Sequence, residues 1–226
     1  MKVALARRAA EFVRDGAVVG LGSGSTAKVF IEELARIVSE RGLKVTLVSS
    51  SVDSEIKAAE AGLGPYLAPL WAVDRIDVAV DGADEVSKDR VFIKGGGGAM
   101  VREKIIDYRA SVLVIIAEAS KLVGSVPARH PIPIEVLPPA WRHVAREVER
   151  RWGGRTELRT CKCGGKLGPL VTDNGNYIID WTPPGPISPS LEDELKLMPG
   201  VVDSGIFAKR RDAVVLLADE RGVFTL

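Results

Sequence analysis

The chain has 226 residues, 46% of them hydrophobic and 27% charged, a balance that suits one large domain or a domain of ~150 residues with a smaller partner. Lys and Arg number 31 against 30 Asp and Glu, a net charge of +1, so no broad basic face invites nucleic acid. No apolar run reaches the ~20 residues of a membrane span, and the charge-studded N-terminus reads as an amphipathic helix and not as a signal peptide, which predicts a cytoplasmic protein.

Lys2 to Arg14 carries apolar residues at helical spacing, and Asp15-Gly16 stops it. Ala17–Leu21 reads as a buried strand, the segment up to Thr26 as a turn, and Ala27–Arg41 as a helix closed by Gly42. Val45–Val48 is a second strand, after which Asp53 is expected to cap a helix over Ser54–Ala61 that Gly62 closes. Further strands fall at Ile76–Val80, Val91–Ile93 and Ser111–Ala117, with Ala99–Tyr108 helical between the last two. Strands alternating with helices predict an α/β fold whose mostly parallel sheet is covered on both faces.

From Pro127 the texture changes. Five prolines crowd residues 127–139, then Trp141–Trp152 reads as a helix. Thr172–Tyr177 reads as a hairpin turning at Asn174-Gly175, Leu191–Met198 as a helix, and Val201–Phe207 and Val214–Leu217 as strands. The expectation is a discontinuous first domain, 1–126 plus 205–226, and a small α+β domain at 127–204.

Three glycine-and-acid clusters follow apolar stretches, and in parallel sheets ligands bind beyond the carboxyl ends of strands. Gly20-Leu-Gly22-Ser23-Gly24-Ser25-Thr26 lets backbone approach an anion, offers hydroxyl donors and opens a helix. It lacks the Lys-Ser/Thr ending of a P-loop and the last glycine of a dinucleotide fingerprint, and alone it also reads as a capped turn. Asp81-Gly82-Ala83-Asp84-Glu85 gathers carboxylates whose mutual repulsion separates acid from base roles; Glu85 is expected to be merely solvated. Lys94-Gly95-Gly96-Gly97-Gly98 is costly in backbone entropy unless bare amides are needed, for example to hold an oxyanion. Glu103 follows near a helix start, where a carboxylate stays ionised and suits a base; Lys121, directly after the strongest strand, can reach a phosphate. Together these imply proton transfer next to a carbonyl on a phosphorylated substrate.

Cys161 and Cys163 are spaced too tightly for an easy mutual disulfide, and with His130 and His143 as the only histidines they do not make a zinc set. No metal is expected. The histidines read as structural or exposed, and the four tryptophans as core or interface. The chain has no Gln, and Asn only at 174 and 176, a composition that fits a thermophile.

Gly22–Thr26, Asp81–Glu85, Lys94–Gly97, Arg102-Glu103-Lys104-Ile105, Ala119-Ser120-Lys121, Thr172–Asn176, Pro199–Val202 and Gly205–Phe207, in this order, resemble ribose-5-phosphate isomerase, type A. The resemblance runs nearly end to end. It implies metal- and cofactor-free conversion of D-ribose 5-phosphate to D-ribulose 5-phosphate through a cis-enediol, by a Rossmann-like domain with a small ferredoxin-like lid, in a homodimer or homotetramer. It further implies Glu103 as the base and Asp81 as the group handling protons on substrate oxygens or ring opening. Asp84, Lys94 and Gly95–Gly97 would orient the substrate and stabilise the enediolate, and Ser23–Thr26 with Lys121 would hold the phosphate. Lys2 stands where the family often has a phosphate-contacting lysine. Gly98 lengthens the family's glycine run, and Thr160–Gly168 and Thr182–Pro189 are less family-like. The rivals are a non-catalytic sugar-phosphate sensor, which would not need Asp81, Asp84 and Glu103 together, and two enzyme classes: an amino-sugar-phosphate deaminase, expected to use a histidine, and a CoA transferase, needing its own nucleophilic glutamate.

Overall fold

A computed structural model describes residues 1–161 and 167–226. The chain begins with α1 (Lys2–Ala10), β1 (Val18–Leu21), α2 (Gly24–Arg41), β2 (Thr46–Ser49) and α3 (Val52–Ala58). Next come β3 (Ile76–Gly82), β4 (Glu85–Ser87), β5 (Phe92–Ile93), α4 (Met100–Arg109), β6 (Ala110–Glu118) and β7 (Leu122–Val123). β8 (Ile132–Val136), α5 (Trp141–Trp152), β9 (Arg155–Leu158), β10 (Tyr177–Thr182) and α6 (Leu191–Lys196) follow. The last strands are β11 (Val201–Ser204), β12 (Ile206–Phe207), β13 (Val214–Asp219) and β14 (Gly222–Thr225).

The chain divides into two compact units. The first is Met1–Ala83, Arg102–Leu122 and Lys209–Leu226; the second is Asp84–Val101 and Val123–Ala208. This division assigns 84–101 to the second unit, unlike the sequence expectation, because β4 and β5 pair with each other and β5 with β12 in a small antiparallel sheet.

The first unit is a six-stranded sheet of order β14-β13-β6-β3-β1-β2, parallel except for β14. Growth of the sheet reverses at β1: β2 is added on one side, then β3, β6 and β13 on the other. In open sheets of this kind ligands bind at such a reversal, beyond the strands' carboxyl ends. α2 turns Phe30, Ile31, Leu34, Ile37 and Val38 inward onto Leu5 and Ala9 of α1 and onto Val19, Leu21 and Val80 of the sheet. Each such large apolar side chain contributes about 1.5–3 kcal/mol by leaving water. A Cβ on Gly20 would stand 2.4 Å from Ile106 Cγ2, so glycine at this position lets α4 lie close on β1.

The second unit carries a separate antiparallel sheet, order β11-β8-β10-β9, with Val144, Val148 and Leu195 of its helices packed on Ile132, Ile134, Ile179 and Trp181. Trp181 is buried and donates its Nε1–H to the Gly153 carbonyl at 2.9 Å, whereas Trp71 of the first unit is 86% exposed.

Several local expectations are corrected. α3 is capped by Ser51, whose Oγ accepts the Ser54 N–H at 3.0 Å; Asp53 lies inside its first turn. Val201–Phe207 is not one strand. It breaks at Gly205 into β11 and β12, which belong to different sheets, because a Cβ there would meet the Lys94 carbonyl at 2.2 Å. Thr172–Asn176 is a turn feeding β10, closed by Thr172 N–H to Asn176 O, and β10's antiparallel neighbours are β8 and β9. Thr172, Asn174 and Asn176 donate side-chain hydrogen bonds to Oε1 of buried Glu135. The expectation for the Cys161/Cys163 pair rests on Cys163, which lies outside the described residues.

Gly20→Ala is expected to cost about 1–3 kcal/mol by overpacking. In urea titrations the double variant Gly20→Ala/Ile106→Ala should be more stable than the two single losses summed; strict additivity would show that these positions do not meet.

Candidate functional site

In the first unit the turn after β1 is set by a carboxylate. Asp81, at the end of β3 and 1% exposed, accepts the Ser23 N–H at 3.1 Å and the Gly82 N–H at 2.6 Å through Oδ1. A Cβ on Gly22 would stand 2.1 Å from that same Oδ1, so only glycine lets the carboxylate sit there. Ser23 takes the N-cap position of α2, but no side chain among the described residues caps the helix. Its hydroxyl turns to Ser51 Oγ at 2.9 Å, in a chain continuing to Ser54 Oγ and the Gly22 carbonyl. The amides opening α2 at Gly24, Ser25 and Thr26 thus keep the positive end of a long helix available for an anion.

Lys2 reaches this turn: its Nζ donates to Ser25 Oγ at 3.0 Å and lies 3.8 Å from Glu118. Lys121, just past β6, donates to the Ala83 carbonyl at 2.7 Å, placing an ammonium beside the loop that follows Asp81. Glu103 lies in the first turn of α4 and is 6% exposed. Of the sequence-predicted residues, Lys2, Ser23, Gly24, Ser25, Thr26, Asp81, Gly82, Ala83, Glu103 and Lys121 belong to this unit. Ser51 and Ser54 were missed; their signal was the Ser49-Ser50-Ser51 run that ends β2, the strand beside β1.

Asp84, Lys94, Gly95, Gly96 and Gly97 belong to the second unit. Asp84 Oδ2 accepts the Gly96 N–H at 2.8 Å, and Gly98 N–H closes a turn on the Gly95 carbonyl at 3.0 Å. Gly95 and Gly98 have φ of +98° and +82°, so those two positions demand glycine for their backbone alone. Lys94 is 2% exposed with Nζ 5.2 Å from the Phe207 ring centroid, a cation held against an aromatic face. Such a buried cation next to a loop of glycine amides can stabilise a developing oxyanion.

Glu85 is not solvated as expected. It is 1% exposed and accepts the backbone N–H groups of Ala128, Arg129 and His130 at 2.7, 2.5 and 2.8 Å, with His130 Nδ1 at 3.2 Å. Burial pushes its carboxyl up, but the three amides and the imidazole together hold it below the usual carboxylate range. The last acid of the cluster therefore ties down residues 128–130, while its neighbour Asp84 meets the glycine loop.

Residues 46–222 match the family described as Ribose 5-phosphate isomerase A (phosphoriboisomerase A). A ribose-5-phosphate isomerase A from Thermococcus kodakarensis is 44% identical over 99% of this chain and 96% of its own. A solved D-ribose-5-phosphate isomerase in complex with phospho-erythronic acid superposes with a TM-score of 0.94 at 39% identity, covering 100% of this chain and 96% of that one. The ribose 5-phosphate isomerase A structure from Methanocaldococcus jannaschii gives 0.91 at 39% identity, covering 100% and 97%.

A carboxyl held lower in the folded than in the unfolded chain stabilises the fold above the unfolded pKa and ceases to as pH falls through the folded one. Glu85→Gln is therefore expected to lower stability at neutral pH by about 1–3 kcal/mol and to flatten the acid fall in stability below about pH 4.3. Denaturant titrations across that range check it; superimposable acid limbs would remove Glu85 from the account.

Proposed function

The chain belongs to the ribose 5-phosphate isomerase A family, and from that premise we infer that it interconverts D-ribose 5-phosphate and D-ribulose 5-phosphate, with the roles below carried by its own residues. The observation that carries the reading is a buried carboxylate in the first turn of a helix, Glu103, in a chain that also builds a phosphate turn and a glycine loop.

Glu103 takes the proton from C2 of the open-chain aldose. The C–H electron pair becomes the C1=C2 bond, and the carbonyl pair moves onto O1. Returning the proton to C1 while O2 gives up its own proton yields the ketose, with no net gain or loss of electrons. Asp81 carries the protons between substrate oxygens and assists ring opening. Its rigid seat on the Ser23 and Gly82 amides suits a group that must present one oxygen in a fixed direction.

Asp84 orients the sugar, and Lys94 with the Gly95–Gly97 amides stabilises the enediolate. The phosphate rests on Ser23–Thr26 at the uncapped start of α2, with Lys121 and Lys2 as counter-charges. A phosphorylated aldonate such as phospho-erythronic acid, the compound held by the solved relative, would occupy the same groups with its carboxylate in place of the enediolate oxygens. No helix among the described residues is long and apolar enough to cross a membrane. A cytoplasmic homodimer or homotetramer, with 127–204 acting as lid and assembly contact, completes the reading, and light scattering of the purified protein measures its assembly.

Glu103→Gln is expected to lower kcat by about 10²–10⁴-fold while calorimetry shows phospho-erythronic acid still bound; a variant that turns over normally removes Glu103 as the base. In heavy water the wild type should place deuterium on the sugar as ketose forms. Lys121→Ala should raise KM for ribose 5-phosphate with little change in kcat, and an unchanged KM would count against its phosphate role.

A further inference from the structure

Arg159 follows β9 in the second unit and had no place in the sequence reading. Its Nε donates to Asp180 Oδ2 at 2.8 Å and its Nη2 to Oδ1 at 2.5 Å, a fork-to-fork pair on β10 with both side chains largely buried. The Arg159 backbone is fixed as well: its N–H donates to the Ile178 carbonyl, and its carbonyl accepts the Leu170 N–H. The nitrogen not engaged with Asp180, Nη1, donates to the Gly95 carbonyl at 2.9 Å and the Gly96 carbonyl at 3.2 Å.

Those two carbonyls determine where two amides point, because C=O and N–H are antiparallel across a trans peptide. Across the Gly95–Gly96 peptide, Arg159 holds the oxygen and Asp84 Oδ2 receives the N–H, so the plane is gripped from both sides. Across the Gly96–Gly97 peptide only the oxygen is held, and the Gly97 N–H has no acceptor among the described residues. It points away from Arg159, as the Gly96 N–H does. A run of glycines left to itself would let these planes turn over at little steric cost.

We propose that Arg159, itself held by Asp180, is a positioning residue for the isomerisation: by gripping the Gly95 and Gly96 carbonyls it keeps the Gly97 N–H fixed as a donor to the enediolate oxygen. This rests on the reading that the glycine-loop amides receive that oxygen. Donors aimed before the charge develops are worth far more than donors that must reorient as it develops.

Arg159→Met frees the Gly96 carbonyl and leaves the Gly95 carbonyl only the Gly98 N–H of its own turn. Arg159→Lys keeps a cation beside Asp180 but cannot fork to the carboxylate and reach two carbonyls at once. The expected result for Arg159→Met is a fall in kcat of about 10–100-fold with KM for ribose 5-phosphate within about threefold of wild type. Arg159→Lys should keep the wild-type melting temperature and show a smaller loss, again in kcat. Should Arg159→Met fail to fold, the lysine variant alone decides. Wild-type kcat in a folded variant, or a loss confined to KM, overturns the proposal. Gly97→Pro, which deletes the N–H itself, tells two failures apart. Full activity in Gly97→Pro ends the oxyanion reading of the loop. Reduced activity there with wild-type kcat in both Arg159 variants ends only the assignment to Arg159.

Discussion

One close approach organises the sheet end of the first unit: the Asp81 carboxylate occupies the space that any side chain at residue 22 would need. The constraint runs both ways. Glycine at 22 admits the carboxylate, and the carboxylate, by accepting the Ser23 N–H, bends the chain off β1 into α2. Both residues lie where sheet growth reverses, at the ends of β1 and β3. With Ser23 Oγ drawn off to Ser51, the start of α2 is left to an external anion instead of a hydroxyl of its own chain. A buried acid therefore does two things that look unrelated in sequence, shaping an anion turn and presenting a proton-handling oxygen.

The second unit solves a similar problem with the opposite charge. A loop of four glycines has amides bare enough to meet an oxyanion but too much freedom to aim them. Asp84 takes one N–H, and Arg159 takes the two carbonyls. Sites need donors fixed on rigid elements, and here the rigidity comes from the β9–β10 pair by way of the Arg159–Asp180 fork.

Much of this was legible in the chain. Strand–helix alternation identified the parallel sheet, and the three clusters identified residues that the structure seats at strand ends or in tight turns. What stayed hidden has specific causes. β8 was unreadable because Pro131 and Pro133 flank and enter it, and proline argues against a strand; Pro133 is paired with Asp180, and its carbonyl accepts the Gly205 N–H. The break at Gly205 depends on the Lys94 carbonyl, 111 positions away in the chain, and no local pattern encodes that encounter. Glu85 looked like a surface acid because its partners, three backbone amides of 128–130, carry no residue-type signal. Arg159 was invisible for the same reason: it acts on carbonyl oxygens, which every residue has.

The discontinuity of the first unit has a consequence for how the protein is made. β13 lies between β6 and β14, yet Val123–Ala208 must leave the ribosome after β6 and before β13 exists. Throughout that interval the nascent sheet ends at β6, an apolar strand with Leu113 to Ala117 destined for burial and one row of backbone groups still unpaired. An open edge of this kind invites pairing with other chains. The intervening unit has its own core and its own sheets, so it can begin to fold while that edge waits. The order of translation therefore makes the oldest part of the molecule the last to be completed, and its vulnerable moment falls late in synthesis.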